Sequence, residues 1–166
     1  MSGRAGFTIT ELLIGITILG ILAWIAYPKI SAKDEIKLDA AARRLASDLR
    51  YAQSRAIGTR VVHGLFFEPS QSRYTVFAPS VISPVTDPAD RARTLQVDYT
   101  RKTEFKGVAI TSASFGTTRG ITFDYFGVPR DSAGTDLTTT GRVILSYQGF
   151  IDTVDVAPNT GKVMVR

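Results

Sequence analysis

The chain has no cysteine and a single histidine among its 166 residues. The first absence excludes disulfide staples, thiolate metal sites and a cysteine nucleophile together, so stability must come from packing. A zinc centre needs three or four nitrogen, sulfur or carboxylate ligands, which one histidine without cysteine does not supply. The lone histidine, His63, falls inside an expected strand and reads as a packed or surface strand residue, not as the base of a Ser or Thr nucleophile. Neither GxxxxGK[ST] nor GxGxxG occurs, so nucleotide binding has no support. Net charge is +5, yet no Lys/Arg run exceeds two residues, as expected of a solvated basic surface. The composition points away from an enzyme, a cofactor or a small-molecule substrate.

A last absence is local. No charged side chain occurs from Leu12 to Tyr27, although the chain as a whole is 21% charged. Residues 7–27 read FTITELLIGITILGILAWIAY. As a helix at ~1.5 Å per residue they would span ~30 Å, the thickness of a bilayer core. A removable secretory signal would show a small-x-small cleavage site after this run. Pro28-Lys29-Ile30 follows instead, so the segment is expected to be retained. Glu11 stands at the edge of the span, where a carboxylate costs up to ~3 kcal/mol. It either snorkels to the interface or meets a cation from another chain, since the next helical turns carry none.

Gly6-Phe7-Thr8-Ile9-Thr10-Glu11, followed by Leu12-Leu13-Ile14, resembles the processing motif of type IV pilins and type II secretion pseudopilins. The resemblance implies that a prepilin peptidase cuts after Gly6 and that Phe7 is N-methylated. Glu11 then becomes the fifth mature residue, whose carboxylate in that family meets the amino terminus of a neighbouring subunit. Pro28 falls where pilins often carry a proline, and it either kinks the helix or merely marks the membrane interface. Gly15 and Gly20 lack the small-xxx-small spacing and receive no specific contact.

Beyond Glu35, Leu38, Ala42, Leu45, Leu49, Ala52 and Ala56 recur at steps of four and three, the mark of a helix with one buried stripe. Lys37, Asp39, Arg43, Arg44, Asp48, Arg50 and Arg55 are expected on its wet face, with Gly58 as the stop. The stripe is too short for a coiled coil and is expected to pack on the chain's own head. The helix should run from near Thr8 to about Ile57, interrupted or bent around Pro28. Leu49 to Ile57 with Val61-Val62, and the final Pro158-Asn159-Thr160-Gly161-Lys162-Val163, resemble the GspH/FimT family of minor pseudopilins.

Past Thr59 the apolar period shifts toward two. Strands are predicted at Val61–Phe67, Tyr74–Phe77, Leu95–Tyr99, Val108–Ile110, Ile121–Tyr125, Arg142–Tyr147, Thr153–Val156 and Lys162–Val165. Ala78–Thr94 and Gly127–Gly141 read as loops. Phe123 to Pro129 resembles the family's strand-turn signature, with Gly127 turning the chain and Pro129 unable to continue a ladder. Asp124, Asp131 and Asp136 cluster near one loop, but their spacing lacks the EF-hand pattern and they read as turn aspartates rather than calcium ligands.

The expected fold is therefore α+β, a long helix on an antiparallel sheet or sandwich. Its parts are a leader (1–6), a membrane and assembly helix (7–28), an amphipathic stalk (29–58) and a β-rich head (59–166). The resemblance implies a minor pseudopilin of a type II secretion system, single-pass in the bacterial inner membrane with its head in the periplasm. Its expected partners are other pseudopilins and the prepilin peptidase. The alternative is a type IV minor pilin, with DNA uptake as one role. Against DNA, the tail offers only Lys162 and Arg166 as cations.

Overall fold

The computed structural model describes residues 8–101 and 103–166, without the side chains of residues 25–33. Helix α1 runs from Ile9 to Thr59. Thr8 caps it, its hydroxyl accepting a 3.2 Å hydrogen bond from the Glu11 N–H that the first turn would otherwise leave unpaired. The helix ends two residues later than its sequence suggests. Gly58 is not the stop: it is helical, and Arg60 takes the left-handed cap at φ 55°. The Thr59 hydroxyl donates back to the Arg55 carbonyl at 2.7 Å, the i−4 back-bond open to a threonine in the last turn. Helical residues pass position 28 without a break, so α1 is not interrupted there. The Pro28 side chain lies outside the described residues.

The expected stripe from Leu38 to Ala56 is wholly buried, joined by Ala41 and Ala46. Five alanines let the helix axis come close to the strands beneath it, while three leucines fill the space between. Arg43, Arg50 and Arg55 face solvent as expected. Asp48 does not: it is buried, accepting a 2.7 Å hydrogen bond from the Tyr74 hydroxyl and one of 3.1 Å from Arg44 Nε. The period places it on the wet face, but the hydroxyl of the buried Tyr74 reaches it there.

Nine strands follow: β1 (His63–Glu68), β2 (Arg73–Phe77), β3 (Gln96–Asp98), β4 (Ala109–Ser114), β5 (Gly120–Phe123), β6 (Pro129–Asp131), β7 (Gly141–Tyr147), β8 (Phe150–Val156) and β9 (Val163–Val165). They form two antiparallel sheets, β3-β2-β1-β5-β6 and β4-β7-β8-β9. The stalk half of α1 touches β1 and β5 of the first sheet and β7, β8 and β9 of the second. One helix thus closes the core of both sheets, and the fold is α+β. Phe67, Tyr74, Tyr99, Phe105 and Phe115 line that core with neighbouring ring centroids 5.5–6.0 Å apart. Tyr99 also donates to the Ala41 carbonyl at 3.1 Å, so its hydroxyl is buried without loss.

Eight strands lie where the alternation predicts them. β6 does not, since Gly127–Gly141 reads as loop and Pro129 as a ladder breaker. Pro129 instead opens β6 opposite Phe123. The strand is at a sheet edge, where a residue without an N–H is tolerated. The Ala78–Thr94 segment is also tied down: the Val85 N–H donates to Val76 O at 2.9 Å and the Leu95 N–H to Val85 O at 2.7 Å.

Candidate functional site

The two halves of α1 have opposite environments. Every described side chain from Thr8 to Trp24 is exposed, with Ile9 at 82% and Trp24 at 85%. An apolar surface of this extent does not persist in water, and it marks a site for lipid or for other chains. Gly20 leaves a hollow on this surface between Ile16, Thr17, Ile21 and Trp24. Glu11 is exposed in the first turn of the helix and makes no ion pair among the described residues. Its carboxylate therefore stands beside the apolar stripe with no cation from the described part of its own chain. Gly6 and Phe7 lie outside the described residues. Among the described residues, no helix is long and apolar enough to cross a membrane. Described side chains of the apolar run end at Trp24, short of the ~20 residues a span needs.

At the other end of α1, Gln53 joins parts of the chain that sequence patterns treat separately. Its Nε2 donates to the Gly127 carbonyl and to the Thr160 carbonyl, both at 3.0 Å. The first belongs to the β5–β6 turn and the second to the β8–β9 turn, one from each sheet. Gly127 sits at φ 82° against Ile57, where a Cβ would meet that side chain at 2.9 Å. The stalk motif, the strand-turn and the final hairpin thus meet at one point. Nothing in the sequence marks Gln53 as the link, because its partners are 74 and 107 residues away.

Residues 1–27 match the model of the prokaryotic N-terminal methylation motif, and residues 41–160 match that of type II transport protein GspH. The chain belongs to the GspH family. It is by that membership a minor pseudopilin of the type II secretion kind, and the methylation motif implies prepilin peptidase processing. GspH-family proteins are held in the inner membrane, present a periplasmic head and assemble with other pseudopilins or pilins. The fold is similar to that of the minor pseudopilin EpsH from the type 2 secretion system of Vibrio cholerae. That match has a TM-score of 0.56 at 13% identity, covering 78% of this chain and 96% of EpsH. It is also similar to the type IV minor pilin FimU of Pseudomonas aeruginosa, with a TM-score of 0.52 at 15% identity, covering 80% of this chain and 90% of FimU. No curated protein matches the sequence significantly.

The remaining polar residues of this GspH-family head have local tasks. His63 is buried at the start of β1, and its Nδ1 donates to the Val61 carbonyl at 2.7 Å. Asp124 accepts from the N–H groups of Phe126 and Val128, both at 2.9 Å. Asp131 does the same for Ala133 and Thr135 at 3.0 and 2.9 Å. Both carboxylates thus shape the turns that follow them. Arg130 lies between Asp124 at 3.5 Å and Asp136 at 2.8 Å, and the latter pair is an ion contact without hydrogen-bond geometry. Among the described residues no three acidic or histidine side chains converge as a metal site would need. A cleft of about 420 Å³ between stalk and β8–β9 is lined by Glu35, Asp39, Asp152, Arg43, Arg50 and Arg166. It holds mixed charge and no nucleophile.

Proposed function

We propose that this GspH-family chain is cut after Gly6, methylated on Phe7, and stored as a single-pass protein of the inner membrane until it enters a short periplasmic filament that exports folded proteins. Residues 1–6 are the leader, 7–28 the membrane and assembly segment, 29–58 the stalk and 59–166 the head. One observation supports this above others: α1 packs its second half tightly into the head and leaves the described side chains near its start, Ile9 to Trp24, uncovered. A helix anchored so firmly at one end is built to be gripped at the other. Glu11 receives the Phe7 amine of a neighbour, an attraction strengthened where lipid or packed helices exclude water. Pro28, lacking an N–H, gives the helix a place to bend as it passes from membrane to filament.

A type IV minor pilin is the second reading, favoured by the similarity to FimU. Both readings share the processing step, and co-expression with a prepilin peptidase followed by intact mass and N-terminal sequencing tests it. The expected product begins with methylated Phe7. An intact leader, or a cut after the apolar run, would overturn both. Glu11→Ala is expected to leave the head folded and to abolish co-purification with sister pseudopilins, and undiminished capture would remove Glu11 from the mechanism.

A further inference from the structure

Two elements form the end of the head nearest the apolar half of α1. The β7–β8 hairpin turns there in two residues, Gln148 at φ 50° and Gly149 at φ 88°, a turn that suits the twist of its flanking strands. Tyr147, just before the turn, lies against α1, with Lys37 Nζ 4.4 Å from its ring centre. The same Nζ donates to the Lys106 carbonyl at 2.5 Å, beside the 3-10 turn Thr103–Phe105. Lys37 thus holds both elements at one level of the helix, where the buried stripe begins with Leu38.

Around the hairpin tip apolar side chains face outward: Phe150 is 36% exposed, Ile151 66%, and Ile36 on the helix 68%. Charge gives this end no single sign, since Asp34, Glu35, Glu104 and Asp152 stand with Lys37 and Lys106. Neither a polyanion nor a polycation is its complement. Its height along α1 is what singles out an occupant. Glu11 is excluded from a hydrocarbon core, and ~20 residues of helix beyond it, ~30 Å, reach Ser31, while the uncharged run itself ends at Tyr27. Ile36 then lies ~5–9 residues, or ~8–14 Å, beyond the core, next to a headgroup layer ~5–8 Å thick. The hairpin stands to one side of the helix axis, so the ~20° tilt usual for a spanning helix lowers its tip into that layer.

We infer that the β7–β8 hairpin rests on the lipid headgroups of the inner membrane, with Phe150, Ile151 and Ile36 in the interface, while the chain is stored there. The occupant follows from continuity. The uncovered apolar face near the start of α1 and this patch belong to one unbroken helix and the hairpin packed on it, so a lipid surface is the apolar partner already present at the foot of the head. Phospholipid headgroups carry phosphate and ammonium together, which suits an end of mixed charge, and Lys37 and Lys106 reach phosphate while their stems stay in the interface. The contact rests on the membrane-storage reading above. It gives the head one orientation over the bilayer before assembly, and it breaks when the subunit is lifted out.

The absence of cysteine lets single labels report position. Full-length chains carrying Ile151→Cys, Phe126→Cys or Leu19→Cys are labelled with a small fluorophore and reconstituted at low density into vesicles of phosphatidylethanolamine and phosphatidylglycerol. The vesicles contain lipid spin-labelled either on its headgroup or on its acyl chain. The headgroup quencher should dim the Ile151→Cys label severalfold more than the Phe126→Cys label, which sits on the β5–β6 turn at the far end of α1. The difference should persist when phosphatidylcholine replaces the anionic lipid, and Ile36→Glu with Phe150→Glu should abolish it. Equal quenching at the two positions would overturn the inference. So would quenching that needs the anionic lipid, which would make the contact one of Lys37 and Lys106, or shielding that grows with protein density, which would make the occupant a second copy. The Leu19→Cys label tests the reading beneath. If acyl-chain quencher reaches it while the Ile151→Cys label stays bright, only the hairpin contact falls; if it too stays bright, the membrane reading falls.

Discussion

Asp48 lies on the side of α1 that its charged neighbours mark as wet, yet the Tyr74 hydroxyl and Arg44 hold it in the core. A buried carboxylate is tolerable only with such partners, and here one is a neutral hydroxyl and the other a cation one turn away. Removing the carboxylate strands the Tyr74 hydroxyl without an acceptor. Asp48→Ala should therefore cost about 2 kcal/mol, within the ~1–3 kcal/mol typical of an orphaned buried polar group. Asp48→Asn, which keeps an acceptor, should cost less. Urea unfolding of the detergent-solubilised chain followed by circular dichroism measures both, and an Ala variant as stable as the parent would show that water replaces the carboxylate. Gln53 is the functional counterpart, a side chain whose importance lies wholly in its two distant carbonyl partners.

At the scale of the element, α1 is one helix with two unlike halves. In the stalk, Leu45 is fully buried, whereas Leu19 in the apolar half is 66% exposed. Leu45→Ala leaves a cavity where one helix closes two sheets, and it should lower stability by about 2–5 kcal/mol. Leu19→Ala should leave head stability unchanged within error and act, if at all, on assembly. The pair is checked by comparing urea midpoints, and a similar loss from both would contradict the division of the helix. The stalk stripe was legible in the sequence because burial against a flat partner leaves a 3.6-residue period in the chain itself. The stop was not legible at Gly58. Helical geometry tolerates glycine, and it was Arg60 that adopted the left-handed turn.

For the whole molecule, Tyr74 and Tyr99 set an alkaline limit. Burial, the largest cause for both, pushes their hydroxyls above the usual tyrosine value near 10. In the unfolded chain they ionise near pH ~10, while in the folded chain they stay neutral. Stability is thus full below pH ~10 and falls as pH rises above it, by up to ~1.4 kcal/mol per pH unit for each tyrosine. A titration at 295 nm should show part of the tyrosinate absorbance appearing only as helicity is lost. Complete ionisation near pH 10 with helicity intact would show these hydroxyls to be open to water.

The sequence by itself determined the α+β class, the stalk stripe, and eight of the nine strands' places. These features are periodic or compositional, so they are written locally along the chain. Tertiary structure alone decided that Asp48 is buried, that Pro129 opens an edge strand, and that Gln53 pins one turn from each sheet. Each of those depends on residues far apart in the chain coming together, and their spacing carries no mark of it. What a side chain touches across the core is set by how the helix lies on the two sheets, and only the folded molecule records that.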